Sequence, residues 1–207
     1  MSTFGAIPID LETLKADAVI ASANKCLEGV PGVSFALLEK SVLNQSESNS
    51  ASHCLDLHDQ FTYMENTGQW RFTPPTHVLA ALDRALTELE VEGGIAVRGQ
   101  RYANNCRLLV DGLTELGFET FTPAPLQAPI IVTVRMPADG KFDFQQLYAS
   151  LRDQEILLYP GGISQEKSFR IGCIGQVFES DITRTIAAIG ATLKDMGVPR
   201  AGLGPAG

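Results

Sequence analysis

The chain has 207 residues, a formal net charge of −8 and a hydrophobic fraction of 44%, which fits one large or two small globular domains with a real core. The acidic balance argues against nucleic acid and against anionic membrane surfaces as partners, since both attract basic patches, and no apolar run approaches the length of a membrane span. The opening residues show no charged region followed by an apolar one, so no secretory leader is expected; Cys26, Cys54, Cys106 and Cys173 are too scattered for a metal pair and read as reduced thiols of a cytoplasmic protein, with no metal expected.

In chain order, Ala18-Val19-Ile20-Ala21 predicts a buried strand, and Val33 to Leu38 predicts a second. Strands buried on both faces need further strands and covering helices, so residues 1–60 are expected to belong to a larger α/β domain. Asn44 to Ser52 (NQSESNSAS) reads as a polar surface loop. Residues 74–92 predict a helix entered through Pro74-Pro75, with Leu79, Leu82, Leu86 and Leu89 at helical spacing and Gly93-Gly94 as its stop. A second helix is expected from about Gly99 to Leu116, with Tyr102, Cys106, Leu109, Leu113 and Leu116 on one face and Gly117 as its cap.

The remainder alternates. Strands are expected at 129–134, at 156–159 (closed by Pro160-Gly161-Gly162) and at 168–174, with helices at 142–154 and around Ile182, Ile186, Ile189 and Leu193. That order implies helices packed on a small, mostly antiparallel sheet. The tail 198–207 carries too little apolar surface to order itself.

Four places could carry chemistry. Lys25 follows an apolar strand and precedes a turn rich in glycine and proline. An ammonium at such a core–loop boundary can be poorly hydrated, and its neutral amine can then attack a carbonyl; the alternative is an ordinary loop lysine. Arg170, in a strand with apolar neighbours, points to the face opposite theirs, where its fork suits a carboxylate or phosphonate; the alternative is a structural ion pair. In Trp70-Arg71-Phe72-Thr73-Pro74-Pro75-Thr76-His77, a hydroxyl before a helix either caps it or helps bind phosphate with the free N–H groups there. Gly29 and Gly32 either admit a ligand or make a tight turn. The pairs His53/Asp56 and Asp56/Asp59 read as solvated surface. Phosphate-loop, dinucleotide, zinc-protease and hydrolase-elbow motifs are absent.

Taken together, ASANKCLEGVPG, TGQWRFTPPTHVLAALDRAL, LLYPGGIS and SFRIGCIGQVFESDI resemble the C-terminal half of the 2-aminoethylphosphonate–pyruvate transaminase family. These are class V aminotransferases of the fold-type I pyridoxal-phosphate enzymes. The resemblance implies an α/β fold: a piece of the cofactor-binding large domain over 1–95, then a small α+β domain over 96–207. It implies that Lys25 holds pyridoxal 5'-phosphate as a Schiff base and shuttles the substrate proton. Ser22 and Asn24 fall in the implied cofactor-binding set, and Thr73 reaches the cofactor phosphate of the neighbouring subunit in a homodimer. Arg170 grips the anionic end of the substrate. The implied reaction belongs to phosphonate degradation and converts 2-aminoethylphosphonate and pyruvate to phosphonoacetaldehyde and L-alanine.

The family carries an aspartate on the cofactor ring nitrogen just ahead of an Ala-Met-Ser stretch, and this chain starts at that methionine. The N-terminal phosphate loop and the stacking aromatic also precede it. The competing expectation is therefore a non-catalytic fragment. Smaller departures from the family pattern are Val33 in place of an aromatic and Gly162 in place of a lysine.

Overall fold

A computed structural model describes residues 1–161 and 166–198. The turn residue Gly162 and the tail from 199 lie outside the described residues. The chain divides into two compact units, Met1–Ile95 and Ala96–Gly207.

In the first unit a short helix α1 (Leu11–Leu14) precedes strands β1 (Ala18–Ser22) and β2 (Ser34–Leu38). Asp10 starts α1 by accepting the N–H groups of Glu12 and Thr13, the usual role of an N-cap carboxylate. β1 and β2 pair antiparallel, Ile20 opposite Ala36, as a two-stranded sheet. Along β1 the alternation is one-sided: Val19 and Ala21 are buried, while Ile20 between them is 59% exposed. Apolar residues thus occupy both faces of β1, and only one face is covered.

Three helices complete this unit: α2 (Lys40–Asn44), α3 (Leu57–Thr67) and α4 (Thr76–Glu92). The expected 44–52 loop is thus preceded by a helical turn that anchors Leu43. α3 was not foreseen, because it buries no residue fully and shows only a weak apolar stripe. Asp56 caps it by accepting the N–H of Asp59 at 2.9 Å.

The second unit is built on a three-stranded antiparallel sheet, order β3 (Ile131–Arg135), β5 (Ser168–Gly172), β4 (Tyr159–Gly161). Three helices belong with it: α5 (Gly94–Glu115, which begins just before the boundary), α6 (Phe144–Arg152) and α7 (Glu179–Asp195). Val132, Val134, Phe169 and Ile171 share one sheet face and form the core with Leu109, Leu113, Leu147, Leu151, Ile189 and Leu193. Full burial of each such side chain contributes about 1.5–3 kcal/mol. α5 and α7 approach closely at Gly112, where an added Cβ would lie 2.4 Å from Ile186 Cδ1.

Three expectations are corrected here. The run 156–159 is not a ladder strand: Ile156 and Leu158 are buried in the core, and only Tyr159 to Gly161 pair with β5. α5 starts at Gly94 rather than Gly99; Gly93 takes φ 111° and caps α4, after which the chain re-enters a helix at once. Val198 is not frayed; it is fully buried and its N–H donates to Leu193 O.

Candidate functional site

Lys25 sits in the turn that leaves β1, and the turn is rigid for local reasons. Glu28 N–H donates to Lys25 O at 2.9 Å, Gly29 N–H to Ala23 O at 2.9 Å, and Ala23 N–H to Val33 O at 3.2 Å. Cys26 and Leu27 are driven inward, 0% and 3% exposed, and Cys26 Sγ donates to Ser2 O at 3.2 Å. Two anchored residues thus fix the backbone directly after Lys25, whose own side chain is exposed. The poorly hydrated ammonium expected from its place after an apolar strand is not found in this chain. Ser22 and Asn24 are half-buried beside it.

The same turn reaches the start of α4. Gly32 takes φ +133°, and a Cβ there would stand 3.0 Å from Val78 Cγ2. Only glycine combines that backbone angle with that approach. Thr73 lies just ahead of α4, exposed, on the rim of a hollow of about 540 Å³ lined by residues 68–74. It does not cap the helix: the N-cap is Pro75, which supplies no side-chain bond. The first N–H groups of this 17-residue helix therefore receive no side-chain cap, a setting that favours an anion.

Arg71 holds this segment down. Its side chain is 9% exposed, it pairs with Asp59, and its Nη2 lies 3.2 Å from His53 Nδ1. Phe72 stacks edge-on to His53, ring centroids 5.8 Å apart, and lies 5.1 Å from the guanidinium carbon. His53 and Asp59, read from sequence as solvated, are thus the anchors of the Thr73 segment. The buried arginine between an aromatic pair in Trp70-Arg71-Phe72 was the available signal.

Arg170 belongs to the second unit. It is half-buried in the middle of β5, on the face away from the core, and its Nε is buried without a hydrogen-bond partner. Among the described residues it forms no ion pair, so the structural ion-pair alternative finds no partner there. Its strand is tied at the C-terminal end. Asn105 Nδ2 donates to Cys173 O at 3.2 Å and Val177 O at 2.8 Å, and Arg101 Nη1 donates to Gly175 O at 2.6 Å and Val177 O at 3.2 Å. Tyr102 Oη accepts the Gly175 N–H at 3.2 Å. None of these three α5 residues was singled out for this role from sequence, because the partner loop lies some 70 positions away.

Among the described residues no group of three or more metal-ligating side chains is assembled, and no described helix is long and apolar enough to cross a membrane. None of the four cysteines is in a disulfide.

The aminotransferase class-V family pattern matches residues 1–171, and the chain belongs to that family. A 2-aminoethylphosphonate–pyruvate transaminase of Cupriavidus taiwanensis is 51% identical over 202 residues, covering 98% of this chain and 54% of the relative. Pyridoxamine–pyruvate aminotransferase from Mesorhizobium loti superposes with a TM-score of 0.82 at 23% identity, over 96% of this chain and 53% of that one. Phosphoserine aminotransferase from Trichomonas vaginalis, solved with pyridoxal phosphate bound, superposes with a TM-score of 0.75 at 16% identity, over 91% and 51%. The fold is that of the fold-type I aminotransferases, and the chain spans about half the length of the relatives it matches.

Proposed function

We propose that this chain serves the transamination of 2-aminoethylphosphonate with pyruvate, giving phosphonoacetaldehyde and L-alanine. The reading rests on one observation: 51% identity over 98% of the chain to a relative of that name. On this reading residues 1–95 belong to the cofactor-binding domain and 96–207 form the small domain. The working assembly is a cytoplasmic homodimer.

The residues present fit pyridoxal phosphate. An exposed primary amine on a fixed turn and a hydroxyl before an uncapped helix N-terminus match an aldehyde and a phosphate respectively. When bound, the cofactor supplies an electron sink for the substrate carbon. Lys25 Nζ would hold it covalently and carry a proton as general base and acid. Ser22 and Asn24 would orient it, and Thr73 would bind the phosphate of the neighbouring subunit's cofactor. Arg170 would bind the phosphonate of the amine and the carboxylate of the keto acid through its fork.

Incubation of the full chain with pyridoxal phosphate, borohydride reduction and peptide mapping tests the assignment. A pyridoxyl group concentrated on Lys25, absent in Lys25→Ala, is expected. Equal labelling of the other exposed lysines, or none on Lys25, would overturn it. A second reading, a chain without turnover of its own, is favoured by the 54% coverage of the relative. It predicts labelling at Lys25 with no formation of alanine.

A further inference from the structure

Arg170 has two cross-strand neighbours. The register sets it opposite Thr133 on β3 and opposite Tyr159 on β4. Residues directly opposite in an antiparallel pair share a face, with Cβ atoms about 4.5–5.5 Å apart. Thr133, Arg170 and Tyr159 therefore form one row across the sheet, on the face opposite Val132, Val134, Phe169 and Ile171. The two ends of the row differ. Thr133 is 5% exposed, whereas Tyr159 is 56% exposed. Of the two residues directly opposite the guanidinium, only Tyr159 is thus accessible to an anion bound there, and it is a phenol.

We infer that Tyr159 is a specificity-determining residue that donates its hydroxyl to the phosphonate held by Arg170. This inference rests on the proposed substrate reading and deepens it. The chemistry follows from counting oxygens. A guanidinium fork takes two oxygens in parallel, which satisfies a carboxylate. A phosphonate presents a third oxygen, which needs another donor. The Tyr159 side chain has a reach comparable to that of arginine and rises beside it from the adjacent strand. Its hydroxyl serves the third oxygen and leaves a carboxylate unaffected. Tyr159 thereby tells a phosphonate from a carboxylate at a site that accepts both.

The test uses the full chain and its Tyr159→Phe variant. The Arg170 Nε–H resonance is followed by NMR during titration with 2-aminoethylphosphonate and, separately, with pyruvate. The variant is expected to bind the phosphonate about tenfold more weakly, the loss of one hydrogen bond to a charged group, with pyruvate affinity changed less than twofold. Unchanged phosphonate affinity, or equal loss for both anions, overturns the role of Tyr159 while leaving Arg170 in place. A wild-type Arg170 signal that moves with neither anion overturns the substrate reading and this inference together. Unchanged β5 amide exchange in the variant separates lost recognition from lost structure.

Discussion

Replacing Asn105 with alanine isolates what α5 does for the strand that carries Arg170. Asn105 is 2% exposed, and its amide group donates to both Cys173 O and Val177 O. The Val177 carbonyl keeps Arg101 Nη1 at 3.2 Å, so most of the loss falls on Cys173. A buried carbonyl stripped of its donor costs about 1–3 kcal/mol. The small void left by the amide adds to that, for a total of about 2–3 kcal/mol. Cys173 directly follows β5, and its own N–H donates to Ile130 O at 3.0 Å, so the loosening should reach the strand end. Amide exchange in β5 is expected to speed up roughly 30- to 150-fold, the same free energy read as an opening constant. Fluorescence of Trp70, which reports the first unit, should melt as in the wild type. Asn104→Ala is the control, since that side chain is exposed, and its effect should stay within about 0.5 kcal/mol. If Asn105→Ala exchanged no faster than Asn104→Ala, the bonds to the 173–177 loop would not be holding β5.

Two further outcomes can be checked on the first unit. Gly32→Ala meets both a φ of +133° and Val78 at 3.0 Å, and should destabilise that unit by about 1–3 kcal/mol in a Trp70 melt; Val78→Ala in the same background should recover only the steric part. The Thr13 hydroxyl, with the backbone N–H groups of Thr13 and Glu12, holds the Asp10 carboxyl below its ordinary range. A carboxyl lowered on folding stabilises above its unfolded pKa of about 3.9, and that contribution fades as pH falls through the lower folded value. NMR titration of Asp10 should therefore show a midpoint that rises on Thr13→Val; an unmoved midpoint would remove the hydroxyl as the main cause.

Much of the fold was legible because burial writes itself as period. The one-sided face of α5 and the isoleucines of α7 each specify a helix and its inner side without reference to a partner, whereas the leucine spacing of α4 specifies the helix but not its inner side, since Leu86 is 40% exposed and Ala85 is buried. What failed did so where pairing or polar contact decides. The apolar run 156–158 looks like a strand, yet it does not pair with β5, which continues past Arg170 to Gly172; Ile156 and Leu158 are instead buried in the core. α3 carries no clear stripe because none of its residues is fully buried, and only its Asp56 cap marked it. The candidate site divides the same way. Lys25, Thr73 and Arg170 stand in motifs that a reader can find, whereas the Arg71 anchors His53 and Asp59 lie 12 to 18 positions upstream and look like ordinary surface.

The amino-acid order by itself determined the family, the inner faces of α5 and α7 and the chemical character of the candidate groups, because these depend on residue type and local spacing. Tertiary structure alone decided which strand flanks Arg170, which helix clamps its loop, and that Lys25 stands exposed on a turn pinned by Cys26 and Leu27. Those are contacts between distant positions, and no local preference encodes them; they exist only once burial of the apolar faces has chosen the partners.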